Sequence, residues 1–226
     1  MRNRMKNQII HGDCLEVMKT MADKSVDCVF TSPPYNRKRN DKYEHYDDTV
    51  SDYYEMLRAS ISESLRVSKG YVIFNTQKNY YNKSDVFKII GHFADKIVEI
   101  IIWEKSNPMP AAALAITNSY EFFLILGDKP LKSNTTYTKN IITTSVNGKM
   151  PDSHKAVMKQ EVADWFIDRF TKEGETILDI FAGTGTTALT SKTRNFILIE
   201  KEQEYIDIIR KRLFLGICIG EGGGIK

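Results

Sequence analysis

Residues Thr176–Leu189 read TILDIFAGTGTTAL. An apolar, β-branched run leads into the turn Gly183-Thr184-Gly185, and a helix-compatible segment follows. Strand, glycine turn and helix in that order form the opening of a βαβ unit. Glycines let a backbone approach a ligand closely, and the helix start offers N–H groups to an anionic end. A second apolar run, FILIE, ends at Glu200, where an acidic group is placed to accept hydrogen bonds from ribose hydroxyls. The pattern points to a nucleoside-containing cofactor. Gly183, Gly185 and Ala188 also satisfy the loose GxGxxG/A dinucleotide pattern, so a nicotinamide-dependent dehydrogenase stays open, as does a turn that serves only helix–strand packing. No Lys-Ser or Lys-Thr directly follows the glycines, which excludes a P-loop.

Only about 40 residues follow Gly185, room for one more strand and helix. A doubly wound sheet must therefore recruit strands from earlier in the chain. QIIHGD at the N-terminus is the natural neighbour, with Asp13 at its carboxyl edge, the side on which open α/β sheets bind ligands. Asp13 is placed either to accept from an adenine amino group or to cap a helix over Cys14–Met21, or to do both.

Seven candidate strands recur: QIIHGD, VDCVFTSPP, GYVIFN, IVEIIIW, YEFFLIL, TILDIFAG and FILIE. Helical patterns lie between several of them, at Cys14–Met21, Ser51–Val67, Ser84–Phe93, Val157–Phe170, Thr187–Lys192 and Glu202–Leu213. Alternation of this kind predicts an α/β fold, a mostly parallel sheet covered on both faces. Arg37–Asp48, Ser106–Asn118 and Gly127–Ser153 are polar and break the alternation, reading as loops or a small insert. The tail GEGGGIK reads as mobile.

With 226 residues, of which 42% are hydrophobic, the chain is expected to form one domain over residues 1–226. A net charge of +3 permits an anionic partner without demanding one. Cys14, Cys28 and Cys218 are far apart and odd in number, which argues against a disulfide framework or a zinc site and for a reducing cytoplasm. No stretch approaches the apolar length of a membrane span, and no apolar run of signal-peptide length stands behind the basic residues of the N-terminus.

TSPPYN, Thr31–Asn36, closes the second strand. Each proline fixes φ and lacks an N–H, so the segment is rigid and rich in acceptors. Such a row suits a substrate carrying an N–H₂ group. Tyr35 adds a flat face able to stack on a base taken out of a helix, and Ser32 a side-chain oxygen. Standing alone, the same residues would make a plain turn; beside a nucleoside-cofactor half they gain a purpose.

Taken together, TSPPYN and DIFAGTGTT resemble the catalytic (D/N/S)PPY and cofactor D-P-F-x-G-x-G-T-T motifs of the S-adenosylmethionine-dependent amino-group DNA methyltransferases. Catalytic motif early and cofactor motif late is the circularly permuted order of that family's beta group. The likeness runs from HGDCLEVM through IIWEKSNPMP to LIEKEQEYIDIIRKRL. It implies a Rossmann-like, seven-stranded sheet. By matching positions, Asp179, Phe181, Gly183, Gly185, Thr186 and Thr187 would surround the methionine part of S-adenosyl-L-methionine, Glu200 the ribose, and Asp13 and Cys14 the adenine. Ser32, Pro33 and Tyr35 would hold the target base, with Pro34 stiffening the loop. Two departures stand out: Ile180 replaces a common proline, and His154–Lys159 reads HKAVMK where relatives commonly have HPAxFP, a change in the third wall of the cofactor pocket.

The implied reaction is in-line attack of a base amine on the sulfonium methyl, by positioning and electrostatics, with no cysteine nucleophile and no metal. In the family the chain resembles, serine at the first motif position usually accompanies N4 of cytosine and aspartate or asparagine N6 of adenine, so the resemblance implies cytosine, with adenine the alternative. Double-stranded DNA is the expected partner, with RNA or a free nucleotide open; a homodimer and a cognate restriction endonuclease are further partners the resemblance allows. Arg37, Lys38, Arg39 and Lys42 lie beside the motif, where they would meet phosphates unless they form only a solvated loop. Residues 104–155, interrupted by the strand at 120–126, are the candidate target-recognition insert. The competing classes are the dehydrogenase and a nucleic-acid-binding module without activity.

Overall fold

The computed structural model describes residues 7–37, 49–108, 116–145, 157–191 and 193–221. Its strands are β1 (Gln8–His11), β2 (Cys28–Thr31), β3 (Val72–Thr76), β4 (Ile97–Lys105), β5 (Tyr120–Leu126), β6 (Ile141–Thr144), β7 (Thr176–Asp179) and β8 (Asn195–Glu200). They form one sheet in the order β1-β8-β7-β2-β3-β5-β4-β6. Only β5 runs antiparallel to its neighbours. The α/β, mostly parallel fold is as expected, but the sheet has eight strands, not seven. The extra one, β6, lies inside Gly127–Ser153, expected to be loop. It is short and at the sheet's edge, and its one buried residue, Ile142, stands between two exposed ones, so it lacks the apolar run that marks a central strand.

Helices α1 (Cys14–Lys19), α2 (Tyr53–Val67) and α3 (Lys83–His92) cover one face, where Met18, Leu57, Ile61 and Val86 pack on Val29, Val72, Phe74 and Ile197. On the other face lie α4 (Gln160–Phe170), α5 (Thr186–Thr190) and α6 (Gln203–Glu221). There Phe166 and Ile167 of α4 meet Phe30, Ile73, Phe123 and Ile177, while Ile209 of α6 packs on Phe196 and Leu198. Both faces of β2, β3 and β7 are thus buried, which explains their unbroken apolar runs. α4 starts three residues later than its periodicity suggests because Lys159, its N-cap, is extended at ψ 135°. α6 runs on to Glu221; the rest of the glycine-rich tail lies outside the described residues. None of the described helices is long and apolar enough to cross a membrane.

Because β1, β8, β7, β2 and β3 are mutually parallel, the segments leaving them emerge along one edge. That edge collects Asp13, Glu200, Asp179, TSPPYN and Gln77. β5 runs the other way, so its beginning, Tyr120 and Glu121, comes to the same edge.

Candidate active site

A cavity of about 540 Å³ opens along this edge. Its lining includes Asp13, Cys14, Ser32, Pro33, Pro34, Tyr35, Arg37, Asp179, Phe181, Gly183, Thr186, Thr187 and Glu200. Of the residues assigned from sequence to the cofactor or the target base, Gly185 alone is not part of the lining. It sits behind the wall at φ +79°, and a Cβ there would come within 3.0 Å of Ile209 Cγ1. Gly183 is also left-handed, at φ +51°, yet a Cβ on it would meet nothing within 4 Å. One glycine is therefore needed for packing, the other for the turn and the open space.

Buried polar contacts hold the glycine turn. Glu200 Oε2 accepts from Gly183 N at 2.7 Å, and Oε1 accepts from the backbone N–H groups of Lys201 and Glu202 at 2.8 and 2.9 Å. Burial raises its carboxyl above the ordinary value, against the pull of these donors. Asp179 Oδ1 accepts from Thr31 Oγ1 at 2.8 Å and Phe181 N at 3.2 Å, while Oδ2 accepts from Thr187 Oγ1 at 2.6 Å. Its carboxyl too is raised, by burial. From α6, Arg212 donates to Thr184 O and Oγ1 at 2.6 and 2.7 Å, a tie across the back of the turn. Asp13 does cap α1: Oδ1 accepts from Leu15 N and Glu16 N, and Oδ2 takes part in neither bond. Burial, followed by the charge of Asp13, pushes the Cys14 thiol up to about 12, which keeps it inert. Val157 and Met158 supply the wall beside Thr186, and Lys159 turns away to Ser145 Oγ and Glu161. His154 and Lys155 lie outside the described residues.

TSPPYN is anchored just as firmly. Tyr53 Oη donates to Pro34 O at 2.8 Å, and Asn79 Nδ2 and Asn82 Nδ2 both donate to Tyr35 O at 2.8 Å. The Tyr35 hydroxyl points inward to Asn75 Oδ1, Glu121 Oε2 at 2.8 Å and Ser32 Oγ at 3.1 Å. Ser32 Oγ lies 2.9 Å from the same Asn75 Oδ1. The Asn75 amide is oriented by its own Nδ2 donating to Phe122 O at 3.1 Å. Behind Glu121, Lys105 Nζ forms a buried ion pair with Oε1. Burial, and then the charge of Glu121, hold the Tyr35 phenol well above its ordinary pKa, so it stays protonated.

Two hydroxyl hydrogens, those of Ser32 and Tyr35, thus serve four oxygen–oxygen contacts. The cluster has lone pairs to spare and lacks hydrogens, a setting complementary to an N–H₂ group. Asn75, Asn79, Asn82, Lys105 and Glu121 carried no local signal in sequence: the pairing of β2 with β3 brings Asn75 and the loop bearing Asn79 and Asn82 to Tyr35, and the pairing of β3, β5 and β4 brings Glu121, with Lys105 behind it. Arg37 packs over the Tyr35 ring, 5.5 Å from its centroid, and donates to Gln77 Oε1 at 2.6 Å. Lys38, Arg39 and Lys42 lie outside the described residues.

Residues 26–211 match the DNA methylase family of N6 and N4 methyltransferases. The type II methyltransferase M.MwoI of Methanothermobacter wolfeii is 30% identical over 241 residues, 92% of this chain, and the chain spans only 35% of that relative's length. Among solved structures, the PvuII DNA methyltransferase, described as cytosine-N4-specific, superposes with a TM-score of 0.76 at 16% identity, over 92% of this chain and 86% of that one. An M1.HpyAVI–SAM complex superposes with a TM-score of 0.66 at 25% identity, over 91% and 98%. The dehydrogenase reading is thereby set aside. With the family matched across most of its length and the two motifs meeting on one cavity, this chain belongs to the DNA methylase family.

Proposed function

We propose that the chain is a site-specific DNA methyltransferase that moves a methyl group from S-adenosyl-L-methionine to the exocyclic amine of a base flipped out of double-stranded DNA, N4 of cytosine. The observation that carries this reading is the hydrogen-poor Ser32–Tyr35–Asn75 cluster opening onto the same cavity as Asp13, Gly183 and Glu200.

The residues fit the cofactor. Gly183 leaves open space in the turn, Phe181 offers an apolar wall, and Asp13 keeps a carboxylate oxygen beyond its capping bonds. In this reading Asp179, Phe181, Gly183, Thr186 and Thr187 hold the methionine end, Glu200 the ribose, and Asp13 and Cys14 the adenine. Bound there, the cofactor supplies an electrophilic methyl group. Glu200 already uses three lone-pair directions on backbone N–H groups, so it engages ribose hydroxyls with what remains or by exchange.

The chain's own task is to hold the amine. Ser32 Oγ and the proline-stiffened backbone accept its hydrogens, which makes the nitrogen lone pair more available for attack. The Tyr35 ring, fixed through its hydroxyl, stacks on the base. Arg37 lies at the mouth and, with Lys38, Arg39 and Lys42, meets phosphates. Residues 104–155 outside β4, β5 and β6 read the sequence. Serine at position 32 favours cytosine. The type II name of the M.MwoI relative supports a cognate restriction endonuclease as a partner; a homodimer is to be sought by light scattering.

Methylome sequencing of DNA from cells expressing the chain tests the reading. N4-methylcytosine within one sequence context is the expected result. N6-methyladenine would overturn the choice of base, and cofactor binding without any DNA mark would favour an inactive binding module.

A further inference from the structure

Between β3 and α3, residues Gln77–Asn82 form a pedestal. Asn79 Oδ1 accepts from Tyr81 N at 2.8 Å and Asn82 N at 3.1 Å, and Asn82 Oδ1 accepts from Asn79 N at 2.7 Å. Asn82, fully buried, also donates through Nδ2 to Gln77 O and Tyr35 O, both at 2.8 Å. So dense a network fixes the backbone of the loop and ties it to the carbonyl of Tyr35.

On this rigid base stand two aromatic side chains that the core does not use. Tyr80 is 77% exposed and Tyr81 52%, with ring centroids 5.3 Å apart, edge to face. Lys83 Nζ lies 5.4 Å from the Tyr80 centroid, and Lys78 Nζ 5.6 Å from that of Tyr120, while Arg37 is bonded to Gln77. The nearest carboxylate along α3, Asp85, is 3.9 Å from Lys88. Scattered surface aromatics need no explanation, but a pre-ordered pair flanked by cations has the makings of a binding surface. Aromatic faces interleaved with lysines suit stacked bases on a phosphate backbone.

We propose, on the DNA methyltransferase reading above, that Tyr80 and Tyr81 are a stacking platform for DNA bases next to the target base, with Lys78 and Lys83 meeting the adjoining phosphates. β3 is the neighbour of β2 on the side away from the glycine turn, so the platform flanks the base-holding ring without touching the cofactor end. Tyr35 and the platform are tied together by one set of asparagine side chains, Asn79 and Asn82.

Fluorescence anisotropy with a random-sequence duplex of about 30 base pairs tests this, run across a salt series on the full chain. Tyr80→Ala/Tyr81→Ala should bind about tenfold more weakly with an unchanged salt slope, whereas the double Phe variant stays within about twofold of wild type. Lys78→Ala/Lys83→Ala should instead flatten the slope, by up to about 2. Affinity for S-adenosylmethionine should be the same in all. An alanine pair that binds as wild type, or a phenylalanine pair as weak as the alanine pair, overturns the platform. So does a change in oligomeric mass on alanine substitution, which would make the surface a contact between copies. Should the double variant fail to fold, Tyr80→Ala alone gives the same reading. If wild type binds no duplex at all, the DNA reading falls instead.

Discussion

Thr31, the last residue of β2, donates its hydroxyl hydrogen to Asp179 Oδ1 at the end of β7, across 2.8 Å of buried structure. The same hydroxyl accepts from Phe181 N at 3.2 Å. The serine–proline motif and the glycine turn, some 150 residues apart in sequence, therefore share one hydrogen-bonded node. Thr31→Val keeps the shape and removes the node. It should cost about 1.5–3 kcal/mol by urea denaturation, the range for a hydrogen bond to a charged group, and weaken cofactor binding as well.

Asp179 also sets a pH dependence. Its carboxyl is raised in the folded protein, so above its ordinary value of 3.8 the native state holds a proton that the unfolded state has lost. Stability then falls as pH rises through that window and levels off above the folded value. Asp179→Asn removes the slope. Denaturation curves from acid to neutral pH should show the wild-type-minus-variant difference shrinking as pH rises; a growing difference would reverse the assignment. Glu200, raised above its ordinary 4.5, should behave in the same sense.

The two left-handed glycines of the Gly183-Thr184-Gly185 turn should part company on substitution. Gly185→Ala meets both an unfavourable φ and the Ile209 side chain, and should lose about 2–4 kcal/mol of stability. Gly183→Ala meets only the φ penalty, about 1–2 kcal/mol, but puts a methyl group at the cavity wall. Thermal unfolding with cofactor calorimetry should therefore show the first failing chiefly in stability and the second chiefly in binding.

How much of this could be read from sequence divides along chain distance. The glycine turn, the acidic strand end and the serine–proline–tyrosine run are contiguous, and their chemistry is carried by residue type and spacing. The central strands were visible because burial on both faces makes them uniformly apolar. β6 was not, since an edge strand with one buried side looks like a polar loop. Nor could Glu121 be seen: on β5 it reads as one charge before an apolar run, and only antiparallel pairing with β3 brings it beneath Tyr35. Asp179 was legible as part of the cofactor motif, but its bond to Thr31, which joins that motif to the serine–proline run, was not, because it depends on β2 and β7 lying side by side.

The ion pair beneath the tyrosine gives a further test. Lys105→Met leaves the buried Glu121 carboxylate without its cation and should destabilise by about 3–5 kcal/mol. Lys105→Met with Glu121→Gln should recover part of that loss, a coupling that a double-mutant cycle reads directly.

Tyr35→Phe keeps the ring and removes the hydroxyl from Asn75 and Glu121; Tyr35→Ala removes both. Single-turnover methylation should fall less than about tenfold in the first and by about ten- to a hundredfold or more in the second, the stacking contribution being about 1–3 kcal/mol. Equal losses in the two variants would mean that the hydroxyl, not the ring face, carries the effect.

The reversed direction of β5 makes the chain segment before it replaceable. β4 ends and β5 begins at the reactive edge, and Lys105 N donates to Ser119 O at 2.7 Å, which pins together the two ends of the chain segment between them. A segment closed at its base in this way can be lengthened or exchanged at a cost that grows only with the logarithm of its length. Exchange of that stretch therefore alters what is approached at the edge and leaves in place the contacts that hold the sheet, the glycine turn and the proline-stiffened loop.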